Sequence, residues 1–251
     1  MLLTADIGNT NITLGLFDNK ELVNVLRIET DKNYSENEYK SVIQQKLKNY
    51  NIDGCIIASV VDEITLKIKN ICEDIFKLKP IVVDSNIQTE NVVNFSKFPT
   101  LGADRIANSY AAYKLYKSPV IIVDLGTATT FEIISSQGKF SGGIIMPGLE
   151  LQLKALNLYT SKLPKIEIMP IEKTIGFDTG SFILSGVIRG SANAISGLIE
   201  QCEKELGQKA YIVATGGYAG IISDYMKRKF DDVNQNLTLQ GLYQLYKLNQ
   251  D

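Results

Sequence analysis

The chain has 251 residues, 45% hydrophobic and 22% charged, with a formal net charge of −2 and no histidine. That length supports one large domain or two modest ones, and the charge balance leaves no excess of Lys and Arg to neutralise a nucleic-acid backbone. Zero histidines exclude Ser-His-Asp triads, His-metal centres and phosphohistidine intermediates, so any general base must be Asp, Glu, Lys, Tyr or Cys.

The three cysteines, Cys55, Cys72 and Cys202, are odd in number and far apart without CxxC spacing. They read as buried, reduced thiols rather than a disulfide framework or a zinc site. The N-terminus meets Asp6 with no basic region before it, unlike a signal peptide, and no stretch reads as long and apolar enough to cross a bilayer. The expected compartment is the cytoplasm, with no nucleic-acid or membrane partner. Arginine is scarce, at positions 27, 105, 189 and 228, which singles out Arg27 and Arg105 as places where a planar bidentate fork is wanted.

In chain order, Met1 to Asp6, Asn11 to Asp18 and Glu21 to Glu29 predict a β-meander, broken at Gly8-Asn9 and Asp18-Asn19-Lys20. Ser35-Glu-Asn-Glu38 is a capping box opening a helix to about Tyr50. A buried strand (Gly54 to Val61), a helix (Asp62 to Phe76) and a strand (Pro80 to Asp84) follow. A polar loop from Ser85 to Thr100 then leads to a helix from Gly102 to about Tyr116. The theme then repeats: a strand from Pro119 to Asp124, a second through Ile134, a turn at Gln137-Gly138 and a third strand towards Ile145. Helices are expected at Leu149 to Leu158, Thr179 to Leu206 and Leu239 to Tyr246, with a strand at Tyr211 to Ala214. The pattern predicts an α/β fold made of two duplicated halves, residues 1–116 and 117–251, each a mixed sheet flanked by helices, with a cleft between them.

The two copies open on one device, DIGNTNIT at Asp6 and DLGTATTF at Asp124. A glycine after the strand suits a tight, positive-φ turn, and the backbone amides and hydroxyls that follow suit a phosphate. Asn9, Thr10 and Thr13 supply donors in the first copy, Thr127 and Thr129 in the second, while Asp6 and Asp124 suit a cation. Gly102-Ala103-Asp104-Arg105 opens a helix, where the dipole favours an anion. Phosphoryl transfer asks mainly for positioning and charge neutralisation. A carboxylate such as Asp104 suffices to orient the attacking hydroxyl, and Arg105 suits a substrate carboxylate.

In order along the chain, Asp6 to Gly15, Gly102 to Arg105, Asp124 to Phe131, Gly142 to Gly148, Leu163-Pro164, Ile175 to Thr179, Thr215 to Gly217 and Leu237 to Leu242 read DxGNTxxxxG, GADR, DxGTATTF, GGxIxPG, LP, IGxxT, TGG and LxLxGL. This series resembles the bacterial type III pantothenate kinases. The resemblance implies a duplicated actin-like (ribonuclease H-like) fold and phosphorylation of pantothenate by ATP with Mg2+, the first step to coenzyme A. It places ATP on Asp6, Ile7, Gly8, Asn9, Thr10, Asn11, Ile12, Thr13 and Thr127. It places pantothenate on Gly102, Ala103, Asp104 and Arg105, with Asp104 as proton acceptor, and a potassium or ammonium ion on Asp124. Thr179 would reach pantothenate within a homodimer.

Two positions depart from the family pattern. Glu132 stands where the family has Asp, and Phe95 is the nearest match to a substrate-contacting Tyr, which removes a hydroxyl worth about 1 kcal/mol. Two other readings stay open: a kinase of the same fold acting on acetate or a sugar, and a non-catalytic nucleotide-binding regulator or actin-like assembly protein. A regulator would be expected to carry an appended DNA-binding segment.

Overall fold

The computed structural model describes residues 1–90 and 94–250. The predicted polar connection Ser85–Thr100 is therefore seen except at 91–93, which lie outside the described residues. The chain forms two compact units, residues 1–115 with 236–251, and residues 116–235.

In the first unit, β1 (Leu2–Ile7), β2 (Asn11–Asp18) and β3 (Glu21–Glu29) form the predicted antiparallel meander. β4 (Gly54–Ser59) and β5 (Ile81–Val82) add in parallel, giving the order β3-β2-β1-β4-β5. Alternation decides the faces. Leu3, Ala5 and Ile7 of β1 point into a core with Ile12, Leu14 and Leu16 of β2. Tyr39 and Ile43 of α1 (Glu36–Leu47) and Ile64, Ile68 and Ile71 of α2 (Asp62–Phe76) close that core. The Ser35 capping box is formed as expected. Cys55 and Cys72 are buried free thiols, and Cys202, in the second unit, is a half-buried one.

Two helices cover the other face of this sheet: α3 (Ala103–Leu115) and the last helix, α8 (Leu237–Asn249). The division from sequence had carried the second half to residue 251, whereas the chain returns after residue 235 to finish the first unit. Phe17 stacks on Tyr243 of α8 at 4.7 Å between centroids, and Thr238 donates to Asn108 of α3 at 2.8 Å. The two helices touch backbone to backbone at Gly241, where a Cβ would fall on the Ala107 carbonyl.

The second unit repeats the topology. β6 (Val120–Leu125), β7 (Ala128–Ile134) and β8 (Phe140–Pro147) form a meander, with β9 (Tyr211–Thr215) and β10 (Asp232–Val233) added in parallel. Its order, β8-β7-β6-β9-β10, is the first sheet's order with each strand replaced by its counterpart. Even the irregularity recurs: the ladder shifts at Leu16/Phe17 in β2 and at Ile133/Ile134 in β7. The helices are α4 (Leu149–Leu158), α5 (Thr179–Leu184), a π turn at Ser185–Arg189, α6 (Gly190–Leu206) and α7 (Ala219–Tyr225). The π turn and α7 were not expected from the sequence.

The run Thr179–Leu206 corrects one expectation, because this helix is long and apolar enough to cross a membrane by length and composition. Its apolar residues instead build the second unit's core: Ile183, Leu184, Val187, Ile188, Ala192, Ile195 and Ile199 pack with Ile121, Val123 and Phe131.

Because Gly241 admits no side chain, Gly241→Ala is expected to push α8 off α3 and to cost about 1–3 kcal/mol, read as a lower urea midpoint with an unchanged m-value.

Candidate active site

The first unit assembles its polar residues at the carboxyl end of β1. Strand alternation leaves Ile7 and Ile12 fully buried, so these two hold the turn in place while the polar residues face out. Asn9, Thr10 and Asn11 are exposed at the tip, and Asp6 and Thr13 are half-buried cross-strand partners on one face. Gly8 does not adopt the expected positive φ; the positive-φ glycines among the described residues are 138, 142, 207 and 216. Glycine is favoured at position 8 by close approach instead, since a Cβ would stand 3.2 Å from the Asn11 carbonyl. The Gly8 amide is spent on that carbonyl at 2.9 Å. Phosphate donors must therefore come from Asn9 onward. Thr30, just after β3, braces the turn, donating its hydroxyl to Gly8 O at 2.8 Å and its amide to Thr10 O at 3.0 Å.

The Gly102–Arg105 stretch joins this end through β4. Ile7 pairs with Ser59 in the parallel ladder, and the next amide, Val60 N–H, donates to Ile7 O at 3.1 Å. Gly102 sits over Val60, where a Cβ would meet Val60 Cγ1 at 3.4 Å. That Cβ would also stand 2.5 Å from Asp104 Oδ1, so glycine is what lets the carboxylate fold back over the helix start. Oδ1 accepts from the Arg105 amide at 2.8 Å. Burial pushes the Asp104 carboxyl above the ordinary carboxylate range, opposed by that amide and the Arg105 charge. Ala103 is buried at the base of α3, and Arg105 is half-buried beside Asp104.

The structure gives Phe95 a different part from the expected one. Its ring is 2% exposed, and its carbonyl accepts from Phe98 N at 2.7 Å. It anchors the loop leading to Gly102 instead of presenting a face to a ligand.

In the second unit the turn after Asp124 is one residue shorter, because Leu125 pairs with Thr129 where Ile7 pairs with Ile12. Two backbone segments, at Gly148 and at Gly216–Tyr218, close on this turn. Gly148 N–H donates to Thr127 O at 3.2 Å, and Tyr218 N–H to Leu125 O at 3.2 Å. A Cβ on Gly148 would strike the Gly126 and Thr127 carbonyls, and one on Gly216 would stand 2.6 Å from Asp124 Oδ1. Gly216 has φ +87, so glycine is demanded there twice over. Only the folded backbone shows what these glycines press against. Gln235, which donates to Gly216 O at 3.1 Å, carried no signal at all.

Asp124 pairs with Thr130 on one side and Thr215 on the other, which puts a carboxylate and two hydroxyls on one face. The departure at Glu132 lies on the same face one rung further along, fully buried opposite Ile122. An all-oxygen set of this kind fits a hard cation. Thr127 is exposed at the turn. Thr179 is exposed at the start of α5, behind an N-cap in which Asp178 accepts from Ser181 N at 2.8 Å.

The profile of the type III pantothenate kinase family matches residues 2–201. Among solved structures, a protein described as a Baf family transcriptional activator from Campylobacter jejuni aligns over 98% of both chains, at 21% identity and TM-score 0.62. The inorganic polyphosphate/ATP-glucomannokinase of Arthrobacter sp. strain KM covers 99% of both at 12% identity and TM-score 0.55. A ROK family glucokinase from Streptomyces griseus, in complex with glucose and AMPPNP, covers 98% of both at 15% identity and TM-score 0.52. At these identities the structural likeness establishes the fold, which is the duplicated actin-like one.

The raised Asp104 carboxyl has a thermodynamic signature. The folded state holds this proton more tightly than the unfolded chain, so the group's stabilising contribution is complete below the ordinary Asp pKa of about 3.9 and is lost as pH rises through the folded value. Asp104→Asn keeps an acceptor for Arg105 and carries no charge. The variant is expected to be the more stable protein at neutral pH, with the gap closing towards acid, as read from paired urea titrations.

Proposed function

The chain belongs to the type III pantothenate kinase family, and from that premise we propose how its residues divide the labour of phosphorylating pantothenate with ATP. The reaction is the first step of coenzyme A biosynthesis. The observation that supports the assignment most is the half-buried Asp104 carboxyl at a helix start, tied through Val60 to the Gly8 turn.

The turn from Asp6 to Thr13 receives phosphate through its exposed tip, with Ile7 and Ile12 fixing the backbone from below. Thr127 adds a phosphate contact from its own turn. Asp104 accepts the proton of the pantothenate hydroxyl as that oxygen bonds to the γ-phosphorus, and the bond from the γ-phosphorus to the bridging oxygen breaks to release ADP. A base with a raised pKa is a better acceptor near neutrality, and in a loose transition state its larger service is to aim the hydroxyl. Arg105 pairs with the pantothenate carboxylate, beside Gly102 and Ala103. The divalent ion that accompanies ATP neutralises charge on the phosphates. Asp124, with Thr130 and Thr215, would hold the potassium or ammonium ion.

A homodimer is supported by side chains of the second unit that a solitary chain would leave in water. Ile175 is 86% exposed, Tyr159 85%, Phe177 83% and Leu158 74%, and Phe182 on α5 is 58% exposed. A second copy covering this segment would bring Thr179 to its pantothenate, and sedimentation should show twice the 27.8 kDa chain mass. A cytoplasmic setting would supply ATP and keep the three free thiols reduced.

In a coupled ATP assay, Asp104→Asn is expected to lower kcat about 10²–10⁴-fold with little change in the KM for ATP; a near wild-type rate would remove Asp104 as the base. Turnover should require pantothenate and not be supported by glucose or acetate. Exchanging potassium for sodium should depress activity in the wild type and have little further effect in Asp124→Asn. Equal rates in both salts would count against a cation at Asp124.

A further inference from the structure

The segment between α4 and α5 has no regular structure from Pro164 to Asp178, yet three side chains from elsewhere in the unit hold it down at its carboxyl end. Tyr225 of α7 both donates to Ile171 O at 2.9 Å and accepts from Ile171 N at 2.8 Å. Arg189 donates from Nη2 to Glu172 O at 2.9 Å, and its guanidinium lies 4.8 Å from the centre of the Tyr225 ring. Ser185 donates to Thr174 O at 2.5 Å. Ser185 and Arg189 are the two ends of the π turn, so the wider turn aims both at one strap, residues 171–174. Arg189 Nε is buried with no acceptor, which commits the fork to the strap through its other end.

The strap feeds directly into Gly176, which packs against Ser181 and Phe182 so closely that a Cβ would stand 2.7–2.8 Å from them. Next come the Asp178 cap and Thr179. Thr179 is thus fixed from behind by the cap and from upstream by the strap. We propose that Arg189 is a positioning residue for Thr179: it clamps strap 171–174 against Tyr225 and so sets where the Thr179 hydroxyl meets pantothenate. Arg189 touches no substrate itself. A cation that both lies over a ring and donates to a carbonyl is what the Arg189 side chain offers the strap.

This inference rests on the reading of Thr179 as a pantothenate contact, and the test separates the two. Kinetics of the full-length protein are compared for Thr179→Ala, Arg189→Ala, Arg189→Lys and Tyr225→Phe, with folding followed by circular dichroism. Arg189→Ala and Thr179→Ala are each expected to raise the KM for pantothenate about tenfold while leaving the KM for ATP within about twofold. Tyr225→Phe should move the pantothenate KM in the same direction, and Arg189→Lys, which keeps a cation over the ring and a donor to the strap, should restore most of the loss. If Thr179→Ala raises the pantothenate KM but neither Arg189→Ala nor Tyr225→Phe does, the positioning role is wrong and the Thr179 reading stands. If Thr179→Ala changes nothing, both fall. A uniform loss of kcat, both KM values and stability in Arg189→Ala and Tyr225→Phe, without rescue by lysine, would mark Arg189 as merely structural and overturn the proposal.

Discussion

The first unit depends on the parallel pairing of β1 with β4. Six consecutive pairs, from Leu2 with Gly54 to Ile7 with Ser59, end the two strands at the same level. The Val60–Ile7 hydrogen bond then locks the chain as it leaves the sheet. Ligands gather outside the carboxyl ends of such strands because backbone amides and helix starts collect there. Here the same edge holds the Gly8 turn and, through the contact of Gly102 with Val60, the start of α3 and its carboxylate. A one-residue slip of β1 against β4 would turn the core residues of β1 to the opposite face and carry Ile7 O away from Val60 N–H. The register therefore serves the core and the chemistry together.

The carboxylate that this edge positions is costly. Burying an anion is opposed by desolvation, and the Arg105 amide and charge only partly offset it. Such a tension between stability and function is expected where a base must be aimed at its substrate. The second unit inherits the same sheet but spends it differently. Its turn is tighter, two backbone segments close over it, and its strand-end carboxylate lies among hydroxyls.

Much of this was legible in the sequence. The hydrophobic period marked both meanders, the Ser35 capping box marked α1, and the repeated Asp-x-Gly turns marked the duplication and both loops. What escaped depended on contacts distant in sequence. No local signal shows that α8 belongs with the first unit, because its apolar face would suit either sheet; Gly241 against Ala107 decides it. The φ of Gly8 was misjudged since glycine serves close approach as well as positive φ, and the two cannot be told apart from one letter. The aromatic at Phe95 looked like a substrate contact by position, yet the ring is more useful in the interior. The apolar run at 179–206 was not read as long enough to span a bilayer, because only the folded chain joins it into one helix, whose apolar residues pack into the core of the second unit.

The central claim is that the Gly8 turn and Asp104 act on one phosphoryl group from one edge of one sheet. A crystal structure with pantothenate and a non-hydrolysable ATP analogue tests it most directly. The account predicts γ-phosphate oxygens against the Asn9–Asn11 tip and the pantothenate hydroxyl within hydrogen-bond reach of the Asp104 carboxylate. A hydroxyl directed at another carboxylate, or a triphosphate that leaves the Gly8 turn untouched, would contradict it.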